Sequence, residues 1–150
     1  MSKQEEAGLI LKLYELRREP TMRKARDWYF LEFNPESITD VKDALFGEHS
    51  GHLRMVMTYW DMAAALVNHG AISRELFNDT NGEHIAVFSK IEPLLAESRG
   101  IFGPQFLANL EKLIDATPEA RKRAASARER MKAVRAELAS RHQAPAAVRT

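Results

Sequence analysis

The 150-residue sequence contains no cysteine. It therefore offers no thiol nucleophile, disulfide, iron–sulfur ligand or thiolate zinc site, and its redox compartment stays open. β-Branched aliphatics are scarce, with 6 Val and 7 Ile against 21 Ala and 15 Leu. That bias suits helix better than a pleated surface, so the fold class expected is all-α. Long hydrophobic runs are also missing, because no stretch approaches the ~20 apolar residues of a membrane-spanning helix. Near the start only Leu9, Ile10 and Leu11 are consecutive, and Glu5 and Glu6 stand where a signal peptide would be basic. A cytoplasmic protein without membrane association is expected. A chain of this length buries roughly 70% of its unfolded surface, so a single domain can fold without staples.

The familiar catalytic signatures are absent too. None of the five histidines has a glutamate three positions before it, as a carboxylate-bridged di-iron site requires. His-Glu-x-x-His, Gly-x-Ser-x-Gly, Ser-x-x-Lys, the Walker A loop and Gly-x-Gly-x-x-Gly do not occur. No catalytic residue and no cofactor is identified.

What is present is helical periodicity punctuated by caps. A first helix is expected from about Lys3 to Arg18, stopped by Pro20, which also suits the first turn of a second helix reaching Phe33. Asn34-Pro35 ends that helix, and Ser37 with Asp40 resembles a capping arrangement for a short one. From His52 to His69, the stripe Leu53, Val56, Met57, Trp60, Ala63, Ala64 and Val67 predicts the central helix, with Trp60 buried and Gly70 as its stop. Ser73, between Ile72 and Phe77, caps a short helix. Ile85, Phe88, Ile91 and Leu95 mark the next, kinked or divided at Pro93, and Gly103-Pro104 opens one carrying Phe106, Leu107, Leu110, Leu113 and Ile114. The expectation is a compact bundle of about six to seven helices with a long basic C-terminal helix. Residues 1–116 form the helical core, 117–142 the long helix packing on the core or on a second copy, and 143–150 a frayed tail.

The long helix carries a seam, Ala120, Ala124, Ala127, Met131, Val134 and Leu138, in heptad spacing. Residues 118–150 hold nine Lys/Arg against three Asp/Glu, whereas residues 1–117 hold thirteen against eighteen. A near-neutral total hides this division. Apolar seam and charge split together predict docking on an acidic surface, with Arg121, Arg128, Met131, Val134 and Leu138 as interaction residues. Nucleic acid is disfavoured as the partner, since no aromatic residues interleave the basic ones for stacking.

Two other clusters carry possible chemistry. His49 and His52, with Glu48 beside them and His84 from another turn, offer imidazole and carboxylate ligands for a transition metal, although a solvated loop accounts for the same residues. Arg54 and Asp61 share a polar seam of the central helix, with Tyr59 nearby; buried and unpaired, Asp61 would make a general acid or base or bind a ligand. A wet helix face explains the seam more simply.

Three stretches, LYELRREPTMRKARDWYF at 13–30, LRMVMTYWDMAAALVNHGAISRELF at 53–77 and FLANLEKLI at 106–114, resemble a bacterial all-helical family described as a domain of unknown function. The resemblance implies a compact helical domain and supplies no catalytic residues. Members often begin with a membrane helix, which this sequence does not show, and the basic last helix lies outside the resemblance. The reading that results is a soluble, bacterial, non-catalytic helical protein acting through protein contacts, as a homo-oligomer (a dimer) or with a protein partner. The alternatives are a small-ligand or metal-binding helical domain, and a nucleic-acid-associated protein using the last helix.

Overall fold

Local capping sets most of the helix boundaries in the computed structural model, which describes residues 2–143. Ser2 Oγ accepts from the Glu5 amide at 3.1 Å and opens α1 (Lys3–Arg17). Pro20 begins α2 (Pro20–Leu31), where the Glu19 carboxylate accepts from the Met22 amide at 3.1 Å. Asp40 accepts from the Ser37 amide at 3.3 Å at the start of α3 (Ile38–Phe46). Helix α4 (Ser50–Asn68) ends on Gly70 at φ 82°, with the Gly70 amide bonded to Val67 O and the Ala71 amide to Leu66 O, both at 2.9 Å. This paired closure satisfies carbonyls that the helix end leaves free, and it needs a left-handed residue.

Beyond it lie α5 (Arg74–Thr80), α6 (Glu83–Ile91), a 3-10 turn (Glu92–Leu94), α7 (Leu95–Phe102), α8 (Ala108–Ala116) and α9 (Ala120–His142). The described residues contain no strand. Nine α-helices among them exceed the six to seven expected. Pro93 supplies one extra, because its missing N–H divides the 83–102 segment rather than kinking it. Gly103-Pro104 does not open a helix directly: the chain turns through residues 104–107, and Leu107 stands at φ 53° before α8 begins. The tail expected at 143–150 lies, from residue 144 on, outside the described residues.

Helix α4 packs mainly between α2 and α8, with α3, α5 and α6 at its flanks. Trp60, 1% exposed, meets Phe77 of α5, His84 of α6 and the Arg17 guanidinium of α1. The most enclosed element is nevertheless α6, in which every residue from His84 to Ile91 except Ala86 is buried. Polar groups on such a helix must find partners in the protein. Glu83, at its start, accepts from Arg26 Nε at 3.0 Å, from Arg26 Nη2 at 2.7 Å and from Trp60 Nε1 at 3.1 Å, joining α6 to α2 and α4. That carboxylate raises the Arg26 pKa through the hydrogen bond and the charge. Further along, the buried Tyr29 hydroxyl donates to Val87 O at 2.7 Å, and burial pushes its pKa up.

One side of α6 is covered by the first half of α9, whose Ala120, Ala124 and Ala127 are buried and permit close helix approach. Arg121 lies over the Phe88 ring, 5.3 Å from its centroid. Ending the chain after Asp115 would uncover this face of α6. The expected result is a loss of at least about 3 kcal/mol in unfolding free energy, or an insoluble chain, measured by urea denaturation, since each large apolar side chain returned to water costs ~1.5–3 kcal/mol.

Candidate functional site

The structure keeps His49 and His52 together and separates His84 from them. His49 stacks on Trp28 with centroids 5.3 Å apart, and His52 lies 5.5 Å from His49. His84 lies in the core beside Trp60 and Phe77. Among the described residues no group of three or more His, Asp or Glu side chains could hold a metal ion. His84 instead belongs to a directional chain. Its Nε2 faces Asn78 Oδ1 at 3.2 Å, Asn78 Nδ2 donates to Thr117 Oγ1 at 3.2 Å, and Thr117 donates to Leu113 O at 2.8 Å. With Nε2 as the donor, Nδ1 is the bare nitrogen, and it is buried without a partner among the described residues. Burial, with Arg123 adding to it, pushes the His84 pKa down to about 4.

Arg54, Asp61 and Tyr59 do not converge either. Arg54 is exposed and bonds Ser50 O within its own helix at 3.3 Å. The Tyr59 hydroxyl donates to Leu13 O of α1, and burial raises its pKa to about 12. Asp61 accepts from the Leu110 amide at 2.9 Å and from Asn109 Nδ2 at 3.0 Å. It thus caps α8 from the neighbouring helix, where Leu107, left-handed and buried, cannot do so itself.

Of the interaction residues on α9, the two arginines are engaged with the body. Arg121 pairs with Glu92 at 2.8 Å, Asp115 at 2.8 Å and Glu111 at 3.1 Å, which together raise its pKa. Arg128 Nη1 donates to Glu92 Oε1 and to Ser89 O, at 2.8 and 2.9 Å. Met131 is half-buried, but Val134 and Leu138 are 57% and 44% exposed and meet no core among the described residues. The seam thus docks over its first half only.

Sequence patterning missed a fourth place, centred on Lys90. Only 6% exposed, its ammonium donates to Tyr29 O at 2.9 Å, Phe30 O at 3.1 Å and Phe33 O at 2.8 Å, closing the C-terminal end of α2. It also reaches Asn34 Oδ1 at 2.9 Å. The carbonyls favour the charged form, as a cation at a helix C-terminus should. Burial, and Arg135 nearby, push the other way, down to about 7. Lys90 adjoins a cavity of about 270 Å³ between the 34–36 segment, the 3-10 turn and α9. A signal existed: a lysine inside the apolar run Ile85 to Ile91 has no wet face to occupy.

Two measurements follow from these placements. Unfolded His84 titrates near ~6.5 and folded His84 near about 4, so the folded state binds fewer protons between those values. Its contribution is complete above ~6.5 and is lost as the pH falls to about 4, by up to ~3 kcal/mol. Denaturant unfolding across this range should show the slope, and His84→Gln should flatten it. For Asp61, replacement by Ala should cost ~1 kcal/mol or more through the lost cap, whereas Asp61→Asn should keep most of it.

No helix among the described residues is long and apolar enough to cross a membrane. No curated protein and no solved structure matches the chain. Residues 4–117, from α1 through α8, do match one family, and α9 lies beyond that match. The chain therefore belongs to the family described as Domain of unknown function (DUF4760).

Proposed function

We propose that this chain is a non-catalytic helical protein that acts through protein contacts made by the outer half of α9, with a second copy of itself as the partner. One observation carries the reading: the seam buried at Ala120, Ala124 and Ala127 continues in register into Val134 and Leu138, which leave the body exposed. A helix of 23 residues extends ~35 Å, further than the face of α6 that it covers. Its outer half is too weakly apolar to be a stable helix by itself, so a partner surface would hold it in place. The excess of acidic groups in residues 1–117 offers such a surface on another copy.

The other readings have less support. His49, His52, His84 and Asp61 lie in stacking or capping roles, which weakens a ligand or metal site built from them. Arg121 and Arg128 already hold carboxylates, and no aromatic residue of α9 stands among the remaining basic ones to stack on bases. Within this proposal the protein is placed in a bacterial cytoplasm as a homo-oligomer.

Sedimentation equilibrium tests it. The full chain should form dimers at micromolar concentration, and Val134→Asp with Leu138→Asp should weaken association at least about tenfold, ~1.4 kcal/mol, without lowering monomer stability. A full chain that remains monomeric, or a variant that dimerises equally well, would sink the proposal.

A further inference from the structure

Two cations share one neutral oxygen where α2, α6 and α9 meet. Lys90 Nζ and Arg135 Nη1 donate to Asn34 Oδ1 at 2.9 and 2.8 Å. Neither makes an ion pair among the described residues. Capping α2 requires only the lysine, and its three carbonyl bonds accomplish that. Arg135 has no comparable task, for the single acceptor it reaches among the described residues is this neutral oxygen, whose two lone pairs it shares with Lys90. Like charges brought together in a partly dry site repel, and an amide dipole compensates them poorly.

The adjoining cavity gathers two more cations, Arg128 and Lys132. Arg128 uses Nη1 for Glu92 and Ser89, leaving Nε and Nη2 without partners among the described residues. Among the described residues Lys132 reaches only Glu129, at 3.5 Å on the surface. Against these four stands one lining carboxylate, the exposed Glu36. Pro93, Leu94 and Met131 supply an apolar wall. Guanidinium forks bind carboxylate and phosphate oxygens in pairs, more strongly where water is scarce. At about 270 Å³ the space is small for a ligand pocket and fits one charged group on a short stem.

We propose that this cavity is a binding site for a small organic oxyanion, a carboxylate or phosphate group on a short apolar stem, gripped by Arg128, Lys132 and Arg135 above the buried Lys90. The oxyanion supplies the negative charge that Lys90 and Arg135 lack, and the stem lies on Pro93 and Met131. Because three of the four cations are on α9, an occupied site would also fasten that helix to the body. The site stands independently of self-association through Val134 and Leu138.

The test is calorimetric titration of the full chain, at fixed chloride, with inorganic phosphate, glycerol 3-phosphate and succinate. A parallel arm uses phosphatidylglycerol vesicles against phosphatidylcholine vesicles. At least one soluble anion should bind one per chain with a Kd below ~1 mM, and Arg135→Gln should weaken it by about tenfold or more, the loss typical of one charge-assisted pair. Lys112→Gln, the same charge change on an exposed part of α8, should shift the Kd by less than about twofold. Arg135 is preferred to Lys90 for substitution because losing the α2 cap endangers the fold, and thermal unfolding of unliganded Arg135→Gln verifies that it remains intact. Absence of binding by all three anions up to ~10 mM, equal affinity in Arg135→Gln, or binding confined to phosphatidylglycerol vesicles would overturn the proposal.

Discussion

The Glu83 carboxylate takes hydrogen bonds from Arg26 of α2 and Trp60 of α4, and it does so at the first residue of the most enclosed helix. Burying a carboxylate is costly unless its oxygens are filled, and here a bidentate guanidinium and an indole fill them. The geometry fixes the rest of the register. From this anchor α2 and α6 run side by side, with Tyr29 bonded to Val87 and the end of α2 bonded to Lys90. A slip of one residue along α6 would turn Glu83, Val87 and Lys90 away from their partners together. Such a lattice of polar contacts inside an apolar core selects one arrangement more than it adds net stability.

Periodicity and capping residues made much of this fold legible. The stripe on α4, the stop at Gly70, the capping by Asp40 and the burial of Trp60 all follow from spacing that acts over one or two helical turns. Less legible were features set by long-range partners. Leu107 adopts a left-handed backbone because its side chain is buried and Asp61, 46 positions earlier, receives the amides that follow. Lys90 stands out as a lysine without a wet face, but its task is readable only once the end of α2 is placed against it. Pro93 was visible as a breaker, yet only the packing decides between a kink and a division.

The seam of α9 was legible as a pattern but not as an extent. Heptad spacing states which residues share a face, while the length of the docking surface depends on the size of the body beneath it. The same applies to charge. The basic excess of residues 118–150 implied an acidic counterpart, and Arg121 and Arg128 meet Glu92, Glu111 and Asp115. Part of the apparent polarity of the sequence is thus neutralised within a few ångströms. The field of the exposed basic residues of α9 is screened by salt over ~8 Å at physiological ionic strength.

The alanines at 120, 124 and 127 act as spacers as well as core. Methyl side chains let two helices approach to ~8 Å, the lower end of the usual range, and the positions of Arg128 and Arg135 relative to Lys90 follow from that separation. A leucine or valine in their place would add apolar area while lifting the whole helix outward, widening the gap between the charged groups. The thickness of an apolar seam thereby gauges the strength of an electrostatic field two turns away. Substitutions that look conservative by hydrophobicity are the ones most apt to retune it.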